Sequence, residues 1–147
     1  MHHLKRAVAP ACLLLWTALL VACAATETRT MQIADLAGTW SLVALDGEPI
    51  PDTPRGVTLE LTEEGEAGGS TGINRFAAAL DRTGIEEGRI SFGLGPVTRA
   101  AGPPAAMALE QDYLERLGST SRITLTNGAL SLYKNDKEVL KYARARP

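Results

Sequence analysis

From about residue 35 onward, apolar and polar positions alternate along much of the chain with the period of strands. Gly38-Thr-Trp-Ser-Leu-Val-Ala-Leu45 is rich in β-formers and runs into the turn pair Asp46-Gly47. Val57, Leu59 and Leu61 alternate with Thr58, Glu60 and Thr62, the pattern of a half-buried strand, and Glu63-Glu64-Gly65 turns it back. Gly65, Gly68, Gly69 and Gly72 crowd the next segment, which predicts a bulged or sharply bent strand. Asn74, Phe76, Ala78 and Leu80 then share one face of a strand, followed by a turn at Arg82-Thr83-Gly84 and a short strand over 89–92.

The period changes after Pro103-Pro104. Ala106, Leu109, Tyr113 and Leu117 fall at helical spacing, with Met107 and Leu114 beside them, Pro at the start and Gly118 at the end. This stripe reads as core packing. Beyond it, Ile123 and Leu125 face Leu130 and Leu132 across Asn127-Gly128, a strong hairpin signal, and 138–143 forms a last strand. The expectation is an α+β, β-dominated fold: seven or eight short strands in a strongly curved antiparallel sheet, or barrel-like single domain, packed on one helix.

The first residues carry a different signal. His2, His3, Lys5 and Arg6 precede an apolar run from Ala11 to Ala22, the charged and hydrophobic regions of an export signal over 1–22. Bounded by Pro10, the run is shorter than the about 20 residues a membrane span needs. Leu20-Val21-Ala22-Cys23 resembles the bacterial lipobox, which implies cleavage before Cys23 and its lipidation; ordinary secretion with cleavage nearby is the alternative. Two or three acyl chains anchor a protein stably where one is marginal. Ala24-Ala25, with no Asp after the cysteine, points by analogy with enteric sorting to the periplasmic face of the outer membrane. Residues 23–34 are then the lipidated cysteine and a polar tether, and 35–147 the folded domain.

Processing there also strips chemistry from the chain. His2, His3 and Cys12 leave with the signal and Cys23 is acylated, so the mature domain has no histidine and no free thiol. Nucleophilic systems that need an imidazole base, and zinc sites built from His and Cys, cannot be assembled. No catalytic, cofactor-binding or metal-binding residues are expected. The full chain of 147 residues carries 15 basic and 17 acidic side chains; without Lys5 and Arg6 the balance is 13 to 17, a net charge of −4. No basic run tracks a phosphate backbone, so nucleic acid is not an expected partner. The length argues for a single domain, expected as a monomer.

Four stretches together resemble the META domain of heat-shock-inducible HslJ-type envelope lipoproteins. They are Leu36-Ala-Gly-Thr-Trp40, Gly72-Ile-Asn-Arg-Phe76, Thr98-Arg99, and Ala105-Ala-Met-Ala-Leu-Glu110 with Tyr113-Leu114. The resemblance implies a small barrel-like β fold with one helix, an envelope location and no established catalytic activity. Members commonly carry cysteines where this chain has Ile73 and Gly102, a possible disulfide pair that is absent here from both sides.

Asn74-Arg75 and Thr98-Arg99 are the candidate binding residues, expected to form an anion or peptide-carboxylate site on one rim of the barrel, because an arginine can fork onto a carboxylate or phosphate. The plainer reading pairs Arg99 with Glu110 and uses Asn74 to satisfy backbone groups at the Gly-rich bend. Glu60, Glu63, Glu64 and Glu66 read as a charged, protected edge or turn rather than a cation site. Trp40 reads as a core anchor. The function expected is a non-catalytic, lipid-anchored envelope module that binds or braces an envelope protein or wall component. Alternatives are a small inhibitor of a wall hydrolase or protease, acting through the proline-rich loop 46–56, and a hydrolase working with two carboxylates alone.

Overall fold

The computed structural model describes residues 30–51 and 56–145. The export segment, Cys23 and part of loop 46–56 lie outside these residues. A one-turn helix, α1 (Ile33–Leu36), leads into strands β1 (Gly38–Leu45), β2 (Glu48–Pro49), β3 (Thr58–Leu61), β4 (Glu66–Ser70) and β5 (Arg75–Asp81). A 3₁₀ turn (Ile85–Glu87) precedes β6 (Ser91–Val97) and the long helix α2 (Pro104–Gly118). Strands β7 (Arg122–Thr126), β8 (Ala129–Lys134) and β9 (Lys137–Arg144) complete the fold.

The strands form one antiparallel sheet in the order β6-β5-β4-β3-β1-β9-β8-β7, with β2 added to β1. It is curved and not closed. Its two ends touch at a single bridge, Arg89 to Arg122, where the Ile123 amide donates to the Gly88 carbonyl at 2.8 Å. The α+β, β-dominated expectation is met, with one strand more than the seven or eight counted, because the two-residue β2 folds back on β1.

Alternation on the strands becomes the core. Trp40 and Leu42 of β1, Leu59 and Leu61 of β3, Leu130 and Leu132 of β8, and Leu140 and Tyr142 of β9 point inward and are buried. Trp40 is fully buried, as a core anchor should be, and its indole nitrogen donates to the Leu36 carbonyl at 2.8 Å. Outside, the Arg144 guanidinium stacks over the Trp40 ring at 4.3 Å. From α2, Tyr113 and Leu117 insert into the core; the Tyr113 ring meets Phe76 edge-on at 5.8 Å between centroids. The turn at Asn127-Gly128 has φ of 51° and 77°, the left-handed pair that a tight two-residue hairpin demands.

Four local expectations are corrected. The tether does not reach 34: α1 occupies Ile33–Leu36, and Met31 and Ile33 pack against the core. The Gly-rich strand β4 is not bulged, since its register with β3 and β5 is unbroken. Its glycines serve close approach instead: a β-carbon on Gly69 would stand 2.1 Å from the Thr58 carbonyl oxygen. Bulges occur between β1 and β9, β5 and β6, and β8 and β9. The strand expected over 89–92 runs instead to Val97, because pairing with β5 carries Gly93, Gly95 and Pro96, residues with little strand preference of their own. Finally, Met107 is not core: it is 38% exposed on the outer side of α2.

Candidate functional site

The turn between β4 and β5 brings the sequence-nominated residues to α2. The Thr71 amide donates to the Asn74 carbonyl at 2.8 Å, and the Thr71 hydroxyl accepts from the Asn74 amide at 2.9 Å. This reciprocal pair closes the turn and aims the Asn74 side chain inward, where it is only 3% exposed. Its Oδ1 accepts from the Ala100 amide at 2.7 Å and from the Thr98 hydroxyl at 2.9 Å. Its Nδ2 donates to the Glu110 carboxylate at 3.0 and 3.1 Å and to the Ala100 carbonyl at 3.3 Å. The Thr71 hydroxyl also meets Glu110. One buried amide thus ties the β4–β5 turn, the segment after β6 and the middle of α2 together, with donors and acceptors matched.

Thr98 completes the clip from the other side. Its hydroxyl accepts from the Arg75 amide at 3.0 Å and its own amide donates to the Arg75 carbonyl at 2.9 Å. The expectation that the Asn74 side chain satisfies backbone groups at the Gly-rich bend is corrected: its backbone partners are the amide and carbonyl of Ala100, in the distant 98–100 segment. The expectation that Arg99 pairs with Glu110 fails. Glu110 is taken by Asn74 and Thr71, and Arg99 makes no hydrogen bond or ion pair among the described residues.

The two arginines do not form one rim. Arg75 points from the outer face of β5, 69% exposed, with a 3.5 Å contact to Glu60. Arg99 instead lines an open groove of about 740 Å³ between the end of β6 and α2. Gly95 and Val97 form one wall, Met107 and Leu114 the other, and Asn74 and Glu110 lie at its base. The groove is mostly apolar; Glu110 at its base is hydrogen-bonded by neutral groups, and Arg99 has no partner among the described residues. Thr71, Met107 and Leu114 were missing from the sequence-nominated set. Only the Thr71-x-x-Asn74 spacing, which suits a side-chain-closed turn, carried a local signal for any of them.

Other charged groups serve the scaffold. Asp46, in the β1–β2 turn, accepts from Lys137 at 2.8 Å and from Arg116 of α2 at 3.0 and 3.1 Å. The Lys137 hydrogen bond, with Arg116 adding to it against a cost of burial, holds the Asp46 carboxyl below the usual range. Asp81 is likewise lowered, by hydrogen bonds from Thr83. Burial pushes the Tyr113 and Tyr142 hydroxyls upward; Tyr142 donates to Tyr113 at 3.3 Å. Glu63, Glu64 and Glu66 face solvent, and among the described residues no group of three or more acids, His or Cys is placed to hold a metal.

This fold and its sequence have relatives. A family model described as the META domain matches residues 32–147. The chain belongs to the META domain family. The match opens at α1 and spans the whole sheet and α2, so the Asn74 clip and its groove are features of a META domain. Among solved structures, an NMR structure of a protein from Burkholderia xenovorans is similar at 22% identity and a TM-score of 0.58, covering 100% of this chain and 99% of that one. A crystal structure of a DUF4847 family protein from Bacteroides vulgatus is similar at 15% identity and a TM-score of 0.58, covering 76% of this chain and 94% of that one. At these identities the likeness speaks to fold. Among curated proteins none matches this META domain.

Proposed function

We propose that this META domain is a non-catalytic binding module of the bacterial envelope. Cys23 anchors it by lipid, and the partner is another envelope protein or a wall component. The reading of residues 1–22 as an export signal and of Leu20-Val21-Ala22-Cys23 as a lipobox supports the anchor. A role under envelope stress follows from the family resemblance. The observation that carries the binding role is the groove beside α2. Its base is a fully paired polar clip that holds the walls in place, while Arg99 at its edge is left without an acid. An apolar cleft with a few polar groups and one free hydrogen-bonding guanidinium is the form of a recognition site. Asp46 and Asp81 have lowered pKa values and stay ionised, opposite to what a carboxylate general acid requires.

Crosslinking and pull-down from whole envelopes with the full lipidated chain tests this reading. An envelope component captured by the wild type and by Arg75→Ala, and lost with Leu114→Lys, supports it. Capture unaffected by the groove substitution places the interface elsewhere on the domain, and a chain that fractionates free of membrane removes the anchor.

A further inference from the structure

From the chemistry of the groove we infer its occupant: the free C-terminal end of a polypeptide whose last residue is apolar. This rests on the binding role just proposed. Hydrogen bonding decides which group the ligand must carry. Glu110, the acid at the base, is already hydrogen-bonded by Asn74 and Thr71, whereas Arg99 lines the same groove with no partner among the described residues. The group left without a hydrogen-bond partner is a guanidinium, and its fork suits a carboxylate.

The apolar walls decide what the carboxylate is attached to. Val97, Met107 and Leu114 line the space next to Arg99, and Met107 is exposed. A ligand must therefore carry an apolar group and an anion side by side. In an extended peptide neighbouring side chains point to opposite faces, and those that share a face stand about 6.5–7 Å apart. A terminal residue presents both groups together, because its carboxylate and its side chain share one Cα.

The strand wall favours a peptide over a simple apolar acid. On the side away from β5, β6 pairs with no strand over Ser91–Val97 among the described residues. Backbone groups along an unpaired edge are what an added chain segment uses. At the other end Leu94 closes onto α2, its Cδ1 3.2 Å from where a β-carbon on Gly118 would stand, so only a short segment fits.

The experiment is fluorescence anisotropy with the full chain in detergent micelles. The probes are fluorescein-labelled pentapeptides ending in leucine, valine or phenylalanine, each as the free acid and as the C-terminal amide. The expected result is that at least one free acid binds, that its amide binds about tenfold or more weakly, and that Arg99→Gln removes this difference. Arg75→Gln, outside the groove, leaves binding unchanged. Equal binding of acid and amide overturns the inference, as does a free acid indifferent to Arg99→Gln, or hexanoate competing as well as the peptide. Absence of binding by all the free acids overturns it too. The pull-down keeps the broader reading separate: a partner captured there and lost with Leu114→Lys sustains the binding role even when every peptide fails.

Discussion

A β-carbon on Gly102 would stand 2.7 Å from the Cδ1 of Ile73 and within 3.2 and 3.3 Å of its two γ-carbons. The turn before β5 and the segment before α2 meet at this point, at the two positions where the family resemblance implies cysteines. The backbone at Gly102 is not left-handed, so an L side chain is excluded by Ile73 and not by conformation. Gly102→Ala is expected to cost about 1–2 kcal/mol through overpacking. Shortening both sides relieves the clash: the double substitution Ile73→Cys with Gly102→Cys places two β-carbons near the about 3.5–4.5 Å that a disulfide spans. Oxidised, it should gain about 2–4 kcal/mol over its reduced form in denaturant titration. Free thiols that persist under oxidation, or no gain on oxidation, would refute the juxtaposition.

Asn74 and Arg75 are adjacent in sequence and opposite in consequence. Asn74→Ala leaves the Ala100 amide, the Thr98 hydroxyl and Glu110 without their partner, for an expected loss of about 3 kcal/mol. Arg75→Ala removes only an exposed contact with Glu60 and should cost under about 0.5 kcal/mol. Urea melts of the two variants compare them directly; similar losses would mean that the clip is not what holds the 98–100 segment on α2.

Asp46 couples stability to acidity. Its carboxyl is held below the unfolded value by Lys137 first and Arg116 next, so its contribution is complete above the unfolded value of 3.8 and is lost as pH falls through the lower folded value. Asp46→Asn keeps the left-handed turn, φ 51°, which asparagine tolerates, and removes only the charge. The variant should be less stable by about 1 kcal/mol at neutral pH. The difference from wild type should shrink as pH falls from 3.8 through the lower folded value, where Asp46 becomes neutral. A gap that stays constant over that range would assign the loss to turn geometry instead.

The buried hydroxyls of Tyr113 and Tyr142 are unequal. Tyr142 donates to Tyr113 at 3.3 Å, and Tyr113 reaches the Thr58 carbonyl at 3.5 Å. Tyr142→Phe deletes a donor whose acceptor keeps another contact and should cost about 1 kcal/mol. Tyr113→Phe strands the Tyr142 hydroxyl in the core and should cost about 1 kcal/mol more. Thermal unfolding of both variants checks the order, and the reverse order would contradict this direction of donation.

Much of this was legible in the residues themselves. Alternation at Val57-Leu59-Leu61, the Asn127-Gly128 turn, and the helical stripe that starts after Pro103-Pro104 each name their element, because backbone sterics and side-chain period act over neighbouring residues. The sequence by itself therefore determined which segments are strands, where α2 begins, and that Trp40 and Tyr113 are core. The tertiary structure alone decided who meets whom. Gly93, Gly95 and Pro96 became strand only because β5 lies beside them, and Glu110 pairs with Asn74 rather than Arg99 because the β4–β5 turn sets Asn74 against α2. Met107, in register with the helical stripe, was left exposed because the sheet ends at β6 and no described element covers that side of α2. Periodicity is a local signal, whereas the partner of a polar side chain and the exposure of an apolar one depend on segments far apart in the chain, which only the closed fold brings together.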